Sequence, residues 1–132
     1  MYPIANMITI IMNAQAVNKE SVILPFSRMK FDIANTLKAG GYVSAVERKK
    51  RKAKKSEQEF IFVTLKYDEY GPAINGIKLI SRPSRRMYIK SDQIRPVRSG
   101  YGIAVISTPK GIMNSKEARK QKLGGEILFE VW

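Results

Sequence analysis

The segment Phe60-Ile-Phe-Val-Thr-Leu-Lys-Tyr67 constrains the fold more than any other part of the chain. An extended backbone sends successive side chains to opposite faces, so Phe60, Phe62, Thr64 and Lys66 share one side and Ile61, Val63, Leu65 and Tyr67 the other. A period of two over eight residues is the signature of a strand, and a strand needs a partner. The nearest candidate is the run Tyr42, Val43, Ala45 and Val46, which pairs with it as an antiparallel hairpin. Between the two lie Arg48, Lys49, Lys50, Arg51, Lys52, Lys54 and Lys55, seven cations within residues 48–55. Two readings of this basic loop stand side by side. It is either a solvated hairpin tip of mutually repelling charges, or a functional patch: an arm that tracks phosphates and becomes ordered on RNA with no base specificity of its own, or a nuclear-localisation-like run.

Charge and composition narrow the function classes. The 132 residues carry 24 Lys+Arg against 11 Asp+Glu, a net charge of +13, yet 44% are hydrophobic, enough to build a core. A strongly basic globular body calls for a polyanion, and nucleic acid is the commonest one. Histidine and cysteine are both absent. This excludes disulfides, zinc sites built on those residues, a cysteine nucleophile and a Ser-His-Asp triad. What remains for chemistry is weak. Ser107 and Lys110 have dyad spacing, but they fall in a Pro-Lys-Gly turn where the lysine is solvated and protonated. Asp68 and Glu69 are adjacent, so a strand would point them apart, and they suit a turn ending at Gly71-Pro72. The expectation is a protein with no catalytic residue, no metal and no cofactor.

The apolar stretch from Met7 to Val17 is interrupted by Thr9, Asn13 and Gln15 and falls short of the roughly 20 residues that span a bilayer. With no cationic leader before Lys19, the reading is a cytoplasmic protein without a membrane partner. Ile4, Met7, Ile8, Ile11 and Ala14 recur at helical spacing behind Pro3, against a β-branched run, Met7–Met12, that suits a strand. Length favours the helix. After an extended Val22–Pro25, Ser27 is a good cap for a second helix, with Met29, Ile33, Ala34 and Leu37 on its buried face and Gly40-Gly41 as its stop. A further strand, Gly76–Ser81, completes this α+β unit. Beyond Arg82-Pro-Ser-Arg-Arg86, short strands are expected at Met87–Ile89 and Ile103–Ile106. Ser115 caps a short basic helix that Gly124-Gly125 ends, and Ile127–Trp132 is a last strand. The fold class is therefore α+β in two small subdomains with a boundary near 72–76 or 82–86; drawn at the first, 1–75 is an α-β-α-β-β unit and 76–132 a mostly β unit with one short helix.

The turn Ser107-Thr-Pro-Lys-Gly111 follows an apolar strand. Its small side chains let an RNA backbone approach closely, and its hydroxyls and amides can bond phosphate, 2′-OH or base edges. A plain turn without ligand fits the local residues equally well. Arg82, Arg85 and Arg86 suit phosphate anchoring more than base reading.

At this point Gly102-Ile-Ala-Val-Ile-Ser-Thr-Pro-Lys-Gly-Ile-Met113, Glu117-Ala-Arg119, Gly124-Gly-Glu-Ile-Leu128 and the final Val131-Trp132 resemble the C-terminal half of the small-subunit ribosomal protein S-eight family, bacterial type. Pro3-Ile-Ala5, Asn13-Ala14, Ile33-Ala-Asn35, Leu37-Lys38, Leu65-Lys-Tyr67 and Ser81-Arg-Pro83 extend the likeness over nearly the whole chain. The resemblance implies a two-subdomain protein that binds a helical region in the central domain of small-subunit rRNA, takes part early in assembly and sits on the ribosome beside neighbouring small-subunit proteins. The ribosome is then a cytoplasmic one, since no Lys or Arg before Lys19 speaks for an organellar transit peptide, although the resemblance itself does not separate it from an organellar ribosome. Some members of the family also bind their own operon's mRNA as translational repressors. Carried over residue by residue, it makes Ser107, Thr108, Lys110 and Gly111 the principal RNA-facing loop and has Tyr88 support or contact the same RNA. Gly124, Gly125 and Glu126 then shape the neighbouring surface, and Lys30 is a candidate backbone contact in the N-terminal half. Tyr88 could stack on a base or simply pack. Glu126 repels phosphate, so it would accept a base amino or 2′-OH proton or orient a neighbour.

The chain departs from the family where arginines are usual in the first helix. It has Ile10 and Met12 there, and Asn6 in place of an aspartate, while residues 48–55 are more basic and Ser84 replaces a common glycine. The basic hairpin then compensates electrostatically for the missing helix arginines. If the whole chain neutralises around 6–10 phosphates, its RNA affinity falls about a thousandfold or more between about 50 and 200 mM salt. Deleting 48–55 is expected to weaken that affinity and flatten its slope in a filter-binding salt series. An unchanged slope overturns the compensation.

Overall fold

A computed structural model describes residues 3–53, 56–97 and 100–132. Their α+β architecture divides into two units, one of residues 6–73 and one chiefly of residues 74–132. In chain order the first stretch holds α1 (Pro3–Ala16), β1 (Ser21–Pro25), α2 (Arg28–Ala39), β2 (Val43–Ala53) and β3 (Ser56–Leu65), followed by a small hairpin of β4 (Tyr67–Asp68) and β5 (Gly71–Pro72).

The β-branched run in α1 is helical. Ile4, Met7, Ile11 and Ala14 are buried at the spacing that puts them on one face, and Ile8, Ile10 and Met12 are half-buried beside them. In α2 the Ser27 side chain accepts a bond from the Lys30 amide at 3.2 Å, and Gly41 turns the chain out at φ +82. Ile33, Ala34 and Leu37 are buried as the spacing predicts, but Met29 is 46% exposed, because it lies in the first turn, at the edge of that face.

β3 is the middle strand of a three-stranded antiparallel sheet in the order β1-β3-β2. Ile61, Val63 and Leu65 are buried and face the core with Val22 and Leu24 of β1. The opposite face is laid out in rows by the register: Pro25, Phe60 and Lys49, then Ile23, Phe62 and Glu47. The basic run is not a loop. The β2–β3 ladder continues through Lys52 opposite Glu57 to Ala53 opposite Ser56, while Lys54 and Lys55 lie outside the described residues. Like-charge repulsion is overcome by the hairpin's own acids and rings. Arg48 Nη2 donates to both carboxylate oxygens of Glu59 (2.9 and 2.7 Å) while the guanidinium sits 4.1 Å from the centre of the Phe26 ring.

The second unit contains β6 (Ile77–Leu79), β7 (Tyr88–Ile89), a 3₁₀ turn (Ser91–Gln93), β8 (Ile103–Thr108), β9 (Gly111–Asn114), α3 (Ser115–Lys120) and β10 (Gly125–Val131). Its sheet runs β6-β10-β8-β9, with β7 also on β10. The strand expected at Gly76–Ser81 therefore joins this sheet, pairing Ile77–Leu79 with Phe129–Val131. It does not complete the N-terminal sheet, where β1 holds the free edge of β3. α3 also begins differently from the expectation. Asn114, not Ser115, is the cap, accepting from the Glu117 amide at 2.8 Å, because the Ser115 hydroxyl is already bonded to the Ala104 amide at 3.0 Å. The helix ends at Lys120 with Gln121 as its C-cap, and Lys122 at φ +57 turns the chain away before the glycine pair. Ile94, Val97, Ala104, Ile106 and Ala118 form the cluster between α3 and the sheet. Among the described residues no helix is long and apolar enough to cross a membrane.

Ile61 is fully buried, whereas Ile23 is 55% exposed on the same sheet. Ile61→Ala is expected to destabilise by about 2–5 kcal/mol in urea denaturation. Ile23→Ala is expected to stay within about 0.5 kcal/mol.

Candidate nucleic-acid interface

The register of β10 gathers most of the predicted site. Glu126 stands opposite Tyr88 of β7 on one side and opposite Ser107 of β8 on the other. Directly paired residues share a sheet face, so Tyr88, Glu126 and Ser107 form one row. Ile112 of β9 continues it, opposite Ser107. One position along, Ile89, Ile127, Ile106 and Met113 turn the other way into the α3 cluster. The alternation thus separates a buried apolar face from a polar one. Tyr88 is 71% exposed, and Ser107 and Glu126 are half-buried.

Glu126 does not stand as a lone anion. Its carboxylate accepts from Arg86 Nη1 at 3.3 Å, with the glutamate side chain 17% exposed. The pair lowers the carboxylate's repulsion of a phosphate and holds the guanidinium beside Tyr88.

Thr108 and Gly111 close a hairpin with Pro109 and Lys110 as its two-residue turn. The Thr108 hydroxyl donates to the Gly111 carbonyl at 2.7 Å and accepts from the Lys110 amide at 3.2 Å. Thr108 is only 8% exposed, so its hydroxyl shapes the turn, while Pro109, Lys110 and Gly111 are exposed at the tip. Gly111 has φ +117, a conformation open chiefly to glycine. Short β9 had no sequence expectation of its own; the only local signal was the glycine that follows the turn.

The glycine pair works by close approach. A Cβ on Gly125 would overlap the Ser107 carbonyl, and one on Gly124 would lie 2.5 Å from the Ile89 carbonyl oxygen. Both positions let β10 enter between β7 and β8 without pushing the row apart.

The 82–87 loop beside the row is held from within. Arg82 and Arg85 exchange backbone bonds at 3.0 Å, and the buried Ser81 hydroxyl accepts from the Met87 amide at 2.9 Å. Arg82 and Arg85 are exposed on this loop. Lys30 belongs to the other unit, half-buried in the first turn of α2. Lys49 and Lys50 also lie there, exposed on β2; for Arg51 and Lys52 the backbone course alone is described. Among the described residues no cluster of acidic side chains could hold a metal ion.

Thr108→Val keeps the shape of the side chain and removes both turn bonds. It is expected to destabilise the unit by about 1–2 kcal/mol and to speed hydrogen exchange at the Lys110 amide. Exchange measured by NMR at that amide checks it.

The family model described as Ribosomal protein S8 matches residues 2–132. The small ribosomal subunit protein uS8 of Bdellovibrio bacteriovorus is 47% identical over 130 residues, 98% of each chain. That of Persephonella marina is 43% identical over 133 residues, covering 98% of this chain and 97% of its own. That of Geobacter sulfurreducens is 42% identical over 131 residues, covering 98% and 96%. These are structural proteins and not enzymes, in line with the poor catalytic prospects of Ser107 and Lys110. With so much of its length matched, this chain belongs to the ribosomal protein S8 family.

Proposed function

We propose that the protein is a structural component of the small ribosomal subunit that binds the central domain of small-subunit rRNA and helps it assemble. The observation that carries this reading is the row Tyr88, Glu126 and Ser107, with Glu126 neutralised by Arg86 and the 108–111 turn at its end. An aromatic ring, a hydroxyl and a paired carboxylate on one sheet face suit the edges and 2′-OH groups of an irregular RNA helix. Thr108 and the glycines Gly111, Gly124 and Gly125 serve this surface by giving it shape. Lys110, Arg82 and Arg85 add phosphate contacts, and Lys30 and the cations of 48–55 add further charge. Charge supplies affinity through counterion release, and the row supplies register.

Gel-shift titration of a central-domain rRNA helix against a generic duplex of equal length tests the reading. The wild-type chain is expected to prefer the rRNA helix. Ser107→Ala is expected to cut the preference by up to about tenfold, the worth of one hydrogen bond. Lys110→Ala is expected to weaken both RNAs alike. Equal affinity of the wild-type chain for both RNAs overturns the reading.

A further inference from the structure

The outward face of the N-terminal sheet carries apolar groups that a solvated strand face does not need. Ile23 is 55% exposed, and Phe60 and Phe62, two residues apart on β3, are half-buried beside it. With Lys49 and Lys50 they line a cleft of about 220 Å³ whose floor is apolar and whose rim is cationic. Lys49 Nζ lies 4.6 Å from the centre of the Phe62 ring. Exposed apolar surface rimmed by charge marks an interaction site. Aromatic rings inside a cationic groove are the elements that hold single-stranded nucleic acid.

We propose that this cleft binds one unstacked base of single-stranded RNA, with Lys49 and Lys50 on the flanking phosphates. It lies in the 6–73 unit, so it is a second site that does not use the Tyr88 row. The base stacks on the ring face over which the Lys49 ammonium now rests, and the ammonium moves to a phosphate. Both lysines are held loosely enough to move. Lys49 pairs with Glu47 at 3.3 Å, but both side chains are more than half exposed. Lys50 reaches Glu59 only at 3.9 Å, and that carboxylate already accepts on both oxygens from Arg48 Nη2.

Charge favours RNA over an acidic peptide. Arg48, Lys49 and Lys50 alternate along β2, so even this described stretch of the basic run charges both faces of the hairpin. That suits a flexible polyanion wrapping the arm. An extended acidic peptide laid along one face would leave half of the cations unanswered.

The test uses the full chain and a short oligouridylate carrying 4-thiouridine. Irradiation is expected to crosslink it to the peptide that contains residues 60–62. F60L/F62L keeps an apolar floor without rings and is expected to weaken oligonucleotide binding about tenfold. K49Q/K50Q is expected to lower the salt slope by about 1.4, at about 0.7 for each lost phosphate contact. Circular dichroism checks both folds. If the phenylalanine variant unfolds, the lysine variant and the wild-type crosslink decide. Tyr88→Ala is expected to keep the crosslink, so failure of the rRNA interface is distinguishable from failure of the cleft. Crosslinks confined to the 74–132 unit, or unchanged binding and slope in the variants, overturn the proposal. So does an acidic, phenylalanine-bearing peptide whose binding the variants abolish while the oligonucleotide's is unaffected.

Discussion

The backbone pairing of β10 is the interaction on which the 74–132 unit and its candidate interface depend. This one strand hydrogen-bonds to β8 along one edge and to β7 and β6 along the other, so removing it would leave three sheet edges unpaired. Buried backbone groups without partners are costly, which makes the register of β10 hard to shift. The site inherits that rigidity. Tyr88, Glu126 and Ser107 come from three strands and stay in line because each is paired directly across the ladder.

Charge is distributed with the same economy of placement. A chain of +13 has few acids, 11 in all, and Glu126 and Glu59 are among those that stand against arginines. Glu126 holds Arg86 beside the row, and Glu59 holds Arg48 over Phe26. Both carboxylates are partly shielded, and each is met by one guanidinium nitrogen, Arg86 Nη1 on Glu126 and Arg48 Nη2 on Glu59. The acids thereby fix where particular cations stand, and the rest of the positive charge is left for a polyanion.

Elements governed by neighbours in the chain were legible. The alternation at 60–67 is a strand, Ser27 caps α2, and the spacing from Ile4 to Ala14 is a helix despite its β-branched run. Elements governed by competition between similar local signals were not. Asn114 and Ser115 are both good caps, and the choice falls to Asn114 because Ala104, distant in sequence, takes the serine hydroxyl. The 48–53 stretch reads as a loop from its charge, yet a pairing ladder with Glu59 and Glu57 opposite keeps it extended. Thr108 looks like an RNA-facing hydroxyl on the strength of its type, while its geometry commits it to the turn.

By itself the sequence determined the α+β class, the positive charge and the lack of cysteine or histidine chemistry, and it nominated the residues of the candidate interface. Those follow from composition, from periods of 2 and 3.6 residues and from a resemblance spread over the chain. Tertiary structure alone decided that Glu126 meets Arg86, 40 residues away, that Gly76–Ser81 leaves the N-terminal unit for β10, and that Ile23, Phe60 and Phe62 share one cleft with two lysines. Each of these depends on which strand edges pair and in what register. That is settled by the burial of whole sheet faces, which no local window of residues contains.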